Sequence, residues 1–123
     1  MTVADTDVLI DYLAGKGEAG AVEQLLRRGA IRTTVISRFE LLAGAQNPKQ
    51  LARLVQLLGA VPSLALDDTA ADAASEIRRT LERSGRPIGM ADSLIAGIVI
   101  SNGGALLTRN RRHFERVPGI SLA

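Results

Sequence analysis

The sequence predicts an α/β protein: a single three-layer α/β/α domain with a mostly parallel central sheet. First, short apolar runs that end at polar residues alternate with longer segments of helical periodicity. Because helices separate most of these runs, neighbouring strands are expected to run parallel. Second, 123 residues with 46% hydrophobic residues suffice for one hydrophobic core. Third, the chain has no repeat, linker or low-complexity segment, so we expect one domain over residues 1–123.

Local signals place each element in turn. A buried run ends at Asp5, and Thr6 is expected to cap the first helix. Pro48 opens a later helix that Gly59 should end, and Pro62 weakens the strand that follows. The expected helices are 6–14, 18–28, 35–43, 48–58, a helix capped by Asp67 or Asp68 that reaches about residue 83, and 90–101; the expected strands are 3–5, 30–33, 60–66, 105–108 and 120–122.

Composition limits the chemistry that the chain can perform. It has no cysteine, which excludes disulfides and thiolate metal sites, so a metal would need carboxylate, carbonyl, Asn or histidine ligands. Oxygen ligands of this kind suit Mg²⁺ or Mn²⁺. No secretory signal is visible and the longest apolar run, residues 94–100, is too short to span a bilayer. We therefore expect no membrane association and a cytoplasmic location.

Three acidic residues stand out by their placement. Asp5 ends the first strand, Glu40 interrupts an otherwise apolar stretch, and Asp92 lies in the first turn of a helix that is apolar on nearly all sides. Asp7 follows Asp5 by two residues. Carboxylates that converge repel one another unless a cation lies between them. Convergence of these acids would therefore indicate a divalent metal site.

Each acid also has a structural interpretation. Asp5 could cap the first helix, while Asp7 and Asp92 could be first-turn acids that the helix dipole favours. Glu40 lies three residues after Ser37, the spacing of a capping box. The sequence alone leaves these interpretations open.

A basic segment follows the predicted strand 105–108. Asn110 should face the same crevice as Asp5, and Phe114 should anchor the segment in the core. Arginine presents a planar fork that suits phosphate, so the segment could bind a polyanion, or it could be a solvated loop. His113 is expected to pack or hydrogen-bond rather than to bind a metal. The four arginines concerned are Arg109, Arg111, Arg112 and Arg116.

Four segments together resemble the PIN-domain ribonucleases, specifically the VapC-type toxins of bacterial toxin–antitoxin pairs. They occur in the order and at the spacing of that family and cover the chain from end to end. They are Val3-Ala4-Asp5-Thr6-Asp7-Val8-Leu9-Ile10, Phe39-Glu40-Leu41-Leu42-Ala43-Gly44, Ile88-Gly89-Met90-Ala91-Asp92-Ser93-Leu94-Ile95-Ala96 and Leu107-Thr108-Arg109-Asn110-Arg111-Arg112-His113-Phe114.

The resemblance implies a PIN fold and Mg²⁺- or Mn²⁺-dependent endonucleolytic cleavage of RNA. The acidic positions of the family correspond to Asp5, Glu40 and Asp92, which would hold the metal and carry catalysis. Asn110 stands where the family often has a fourth acid, and with Thr6 and Asp7 it would orient water. The resemblance also implies a homodimer and a cognate small antitoxin, with which the chain would form a hetero-oligomer.

Two other functions fit parts of the sequence. Asp5 and Asp7 match the Asp-x-Asp pattern of haloacid-dehalogenase-type phosphatases, although no lysine follows Lys49 and that chemistry needs a later cation. Alternatively, a PIN-like module could bind RNA or protein without cleavage, which the replacement of an acid by Asn110 would permit.

Overall fold

Five parallel strands form one sheet at the centre of the protein. The computed structural model describes residues 1–123 and orders the strands β3-β2-β1-β4-β5. All four strand pairings are parallel, so the prediction of a mostly parallel sheet is confirmed. The strands are β1 (Thr2–Ala4), β2 (Ile31–Thr34), β3 (Ser63–Leu64), β4 (Ala105–Leu107) and β5 (Ser121–Leu122).

Seven helices connect and cover these strands. Four of them have the predicted bounds, and a short helix falls inside the basic segment, where none was predicted. The helices are α1 (Thr6–Ala14), α2 (Ala19–Arg27), α3 (Val35–Ala43), α4 (Pro48–Ala60), α5 (Asp68–Arg83), α6 (Met90–Ser101) and α7 (Arg111–Phe114). No helix has both the length and the apolar character that crossing a bilayer requires.

Two predicted elements end elsewhere in the structure, one because of packing and one because of a proline. α4 continues through Gly59, because Leu57 and Leu58 before it are buried and hold its last turn against the core. The strand predicted at 60–66 shrinks to two residues, since Pro62 has no backbone N–H to donate. Its carbonyl still accepts a hydrogen bond from the backbone N–H of Thr33, at a distance of 3.0 Å.

The sheet separates two hydrophobic clusters, which establishes the three layers. Val3 and Ala4 are both fully buried, and because successive strand residues point to opposite faces, they enter different clusters. Val3 packs with α5, α6 and Phe114, whereas Ala4 packs with α1, α2 and α4. Close contact of α5 and α6 depends on Gly97, where a Cβ would lie 2.7 Å from the backbone nitrogen of Ala74.

The strand order brings three strand ends to one edge of the sheet. β1 lies between β2 and β4, so the residues after their carboxyl ends are neighbours in space. These residues are Asp5 after β1, Val35 after β2 and Thr108 after β4. The backbone N–H of Asp5 extends the pairing by donating to Leu107 O at 2.9 Å. This edge is the place where open α/β sheets bind their ligands.

Candidate active site

Asp5 is the buried acid at the centre of this edge. It is the N-cap of α1: its Oδ1 accepts a hydrogen bond from the backbone N–H of Thr6 at 2.8 Å. The prediction that Thr6 caps the helix is therefore wrong, because the carboxylate of Asp5 satisfies the free N–H groups of the first turn. Thr6 is instead the first helical residue, and its hydroxyl is left free to reach α3.

The pKa of Asp5 is raised from its usual 3.8 to about 6. Burial is the largest cause, because desolvation disfavours the charged carboxylate, and the nearby charges of Asp7 and Asp92 act in the same direction. Hydrogen bonds from Thr108 and Thr6 act in the opposite direction. Asp5 is only 6% exposed. Other acids lie near its carboxyl, and it forms no ion pair with a basic side chain.

The turn after β4 supplies donors to two of the acids. The hydroxyl of Thr108 donates to Asp5 Oδ2 at 2.7 Å and accepts from the backbone N–H of Asn110 at 3.0 Å. The backbone N–H of Arg109 donates to Asp7 Oδ2 at 3.2 Å. Sequence reasoning missed Thr108 as a site residue, although a buried hydroxyl at the end of a strand adjacent to β1 was a usable signal.

Glu40 joins the site from α3. Thr34 is the N-cap of this helix and accepts from the backbone N–H of Ser37 at 3.1 Å, so the capping-box interpretation of Glu40 is wrong. The Glu40 side chain turns instead to α1, where its Oε1 accepts a hydrogen bond from the hydroxyl of Thr6 at 2.7 Å. Ser37 Oγ lies 2.9 Å from the same hydroxyl oxygen. Glu40 is exposed, in contrast to Asp5.

Asp92 approaches from the first turn of α6, and its side chain is 27% exposed. Burial raises its pKa, as do the charges of Glu40 and Asp7, while His113 lowers it. Asp92 Oδ2 lies 3.6 Å from His113 Nδ1, which is 2.8 Å from Asn110 Nδ2. His113 thus hydrogen-bonds to Asn110, as predicted, and its ring lies beside the carboxylate of Asp92.

The acids therefore face one another at one end of the sheet. Asp92 responds to the charges of Glu40 and Asp7, and Asp5 responds to those of Asp7 and Asp92. No three acidic or histidine side chains stand together as direct ligands of one ion. The donors are all oxygens, and Mg²⁺ binds through one or two carboxylates while it keeps several waters. The chemistry of this donor set fits a hydrated divalent cation.

The four arginines of the basic segment differ in their surroundings. Arg111 Nη1 donates to Ala123 O at 2.8 Å, and Arg116 Nη1 donates to Pro87 O at 3.2 Å. Arg109 forms an ion pair with Asp11. Arg112 is exposed and makes no hydrogen bond within the protein, so its guanidinium is the one fully available to a ligand.

Asp11 is a buried acid of α1 that the sequence analysis did not single out. Its side chain is 2% exposed and its Oδ2 lies 2.9 Å from Arg109 Nε. The same oxygen accepts from the backbone N–H of Glu18 at 3.2 Å. A Cβ at Gly17 would lie 2.7 Å from Asp11 Cγ, so only glycine leaves room for this carboxylate. The Gly17 beside the first helix was the available signal, but it was interpreted only as a helix terminator.

Comparison with known protein families identifies the family of this chain. The model of the PIN domain matches residues 2–120, nearly the whole chain. The chain belongs to the PIN domain family. This membership confirms the predicted PIN fold and overturns the phosphatase interpretation of Asp5 and Asp7, because the whole sheet follows the PIN pattern.

Relatives of this PIN domain include named ribonucleases. The tRNA(fMet)-specific endonuclease VapC of Shigella flexneri is 32% identical over 120 residues, covering 94% of this chain and 91% of the relative. Ribonuclease VapC11 of Mycobacterium tuberculosis is 32% identical, with 89% of this chain and 87% of the relative covered. The DNA-bound VapBC structure from Salmonella typhimurium superposes with a TM-score of 0.84 at 30% identity, covering 99% and 96% of the two chains.

Proposed function

We propose that this PIN domain is a divalent-metal-dependent endoribonuclease and the toxin of a toxin–antitoxin pair. The observation that carries the proposal is the buried acid Asp5, whose pKa is raised by burial and by the charges of Asp7 and Asp92. Burial and the charges of Glu40 and Asp7 raise the pKa of Asp92 in the same way. Like charges brought together in this way raise the free energy of the metal-free protein, which a bound cation would offset. The names of the VapC relatives support cleavage of RNA.

Asp5 and Asp92 would hold Mg²⁺ or Mn²⁺, with Glu40 completing the set directly or through water. When bound, the cation would lower the pKa of a water molecule and offset the negative charge of a phosphodiester. Asp5 suits this role because its carboxylate is fixed by Thr6 and Thr108 and cannot swing away. Glu40 is more exposed, and the bond from Thr6 alone fixes its direction.

The surrounding polar residues would orient water rather than bind the cation. Thr6 keeps Glu40 turned inward, and Asp7 remains fixed by the backbone N–H of Arg109. Asn110 cannot neutralise positive charge, and its amide is directed to His113, which is adjacent to Asp92. Attack of water on phosphorus would break the bond to the 3′ oxygen and leave a 3′-hydroxyl and a 5′-phosphate.

The basic segment would draw the RNA backbone toward the acids. Arg112 is exposed and free of internal contacts, so it is the strongest candidate for binding a phosphate. Arg111 and Arg116 each use one nitrogen on a backbone carbonyl, and Nε of Arg116 is buried, so both are weaker candidates than Arg112. Cationic attraction compensates for the repulsion between RNA and the acidic cluster.

A groove beside Glu40 would receive the antitoxin. It has a volume of about 390 Å³ and lies between α1, α3 and α4, with Ile10 on its exposed rim and Leu13, Leu41 and Leu54 in its lining. A partner seated there would reach the rim of the acidic cluster at Glu40. The similarity to VapBC supports a cognate antitoxin as this partner. Homodimer formation stays a prediction from the resemblance, and a cytoplasmic location stays a prediction from the sequence.

The test is cleavage of a structured RNA by the purified protein with Mg²⁺ or Mn²⁺, with and without a chelator. We expect new 5′-phosphate ends that the chelator abolishes, and none from Asp5→Asn or Asp92→Asn. Asp72→Asn, on the exposed face of α5, is the matched control and should cut normally. RNA binding that is insensitive to chelator, with no new fragments, would instead establish the non-cleaving PIN-like module.

A further inference from the structure

A buried ion pair lies outside the acidic cluster and is not used by the proposed chemistry. Asp11, on α1, is almost completely buried, whereas the side chain of its partner Arg109 is 53% exposed. Removing the partner of a buried charge is strongly destabilising, because the remaining charge is neither solvated nor neutralised. Arg109 is therefore held on Asp11 and is not a freely moving surface arginine.

The backbone of Arg109 contacts the acidic cluster directly. Its N–H donates to Asp7 at 3.2 Å, while its side chain is fixed 2.9 Å from Asp11. On one side of it, Thr108 donates to Asp5, and on the other, Asn110 contacts His113. The three-residue turn 108–110 thus touches Asp5 and Asp7, and reaches Asp92 through His113.

We propose that Asp11 and Arg109 are positioning residues, whose ion pair fixes the turn 108–110 so that it presents its donors to Asp5 and Asp7. The inference rests on the proposed nuclease function for its kinetic consequences. It assigns Arg109 a different role from the RNA contact that the sequence alone predicts. Mispositioning by a fraction of an ångström lowers turnover, whereas loss of a phosphate contact weakens binding.

Kinetics of Mg²⁺-dependent RNA cleavage separate these roles. For Asp11→Asn and for Arg109→Gln we expect kcat to fall about 10- to 100-fold, with KM changed by less than about threefold. The double variant should be no worse than either single variant, because both changes break the same pair. Arg109→Lys retains a charge for Asp11 and should recover part of kcat. Rates are measured well below the melting temperature of each variant.

Two kinetic results would overturn the inference. If Arg109→Gln raises KM and reduces the salt dependence of binding while Asp11→Asn cuts like the wild type, Arg109 binds RNA. If both variants melt earlier but retain full kcat, the pair only stabilises the fold. Asp72→Asn again controls for loss of a carboxylate at an exposed position.

Amide hydrogen exchange of the metal-free protein tests the inference without any cleavage. The N–H groups of Arg109 and Asn110 are bonded to Asp7 and Thr108, so their exchange should accelerate about tenfold or more in Asp11→Asn, while the β1 amides stay protected. Unchanged exchange at both amides would overturn the proposal. If the wild type shows no Mg²⁺-dependent cleavage, the proposed function fails, and exchange still decides whether the pair holds the turn.

Discussion

Replacement of Asp5 by Asn should stabilise the metal-free protein at neutral pH, although it should abolish cleavage. The carboxyl of Asp5 has its pKa raised to about 6, mainly by burial. A raised pKa means that the folded state binds the proton more tightly than the unfolded state does. The contribution to stability is therefore fully present below pH 3.8 and is lost as the pH rises through about 6.

The size of this effect follows from the shift. Each pKa unit corresponds to about 1.4 kcal/mol, so ionisation of Asp5 lowers the free energy of unfolding by about 3 kcal/mol above pH 7. Asn is also a good N-cap, so the bond from Thr6 survives. The weaker bond from Thr108 removes about 1 kcal/mol. The net gain of roughly 2 kcal/mol should raise Tm by about 8 °C in a domain of this size.

Thermal unfolding in chelator from pH 4 to pH 8 measures this gain. The Asp5→Asn variant should melt higher than the wild type at pH 7.5, and this advantage should vanish near pH 4. Added Mg²⁺ should raise the Tm of the wild type and leave that of Asp5→Asn unchanged, whereas Asp72→Asn should follow the wild type. An Asn variant that is equally or less stable at pH 7.5 would refute the argument that ionisation of Asp5 lowers the free energy of unfolding.

Three further predictions concern single side chains. Thr108→Val removes a hydrogen bond that lowers the pKa of Asp5, so the acid limb of the pH–rate profile should move to higher pH. Arg112→Gln should raise KM several-fold and reduce the salt slope of RNA binding by about 1, with kcat retained. Gly97→Ala places a Cβ against Ala74 and should lower the free energy of unfolding by about 1–3 kcal/mol in urea titrations, without loss of activity in the folded fraction.

The sequence predicted most elements because their signals are local. Pro48 at the start of α4 and the uniformly apolar α6 depend only on neighbouring residues. The resemblance to the PIN-domain ribonucleases predicted that three acids meet, and the parallel sheet places the first of them, Asp5, at the edge where ligands bind. Burial and nearby charges raise the pKa values of Asp5 and Asp92: the charge of Asp92 acts on Asp5, and that of Glu40 acts on Asp92.

The contacts that no local signal encodes were missed. Asp11 lies one helical turn after Asp7, on a helix face that periodicity does not assign to the core. Its burial depends on Arg109, which is 98 positions away in the sequence, and no spacing rule connects the two. The same limit applies to Thr108, whose role depends on β4 pairing beside β1. The sequence predicted that Arg109 binds RNA, because the type of a side chain does not reveal that it has a buried partner.

The position of β4 in the sheet has a consequence for synthesis of the protein in the cell. The bond between Thr108 and Asp5 joins residues 103 apart, and β4 must insert next to β1 before it can form. During translation, one edge of β1 stays unpaired until the last part of the chain leaves the ribosome. Assembly of the candidate active site is thus a late event of folding, and translation products that end before β4 would lack the turn that contacts Asp5 and Asp7.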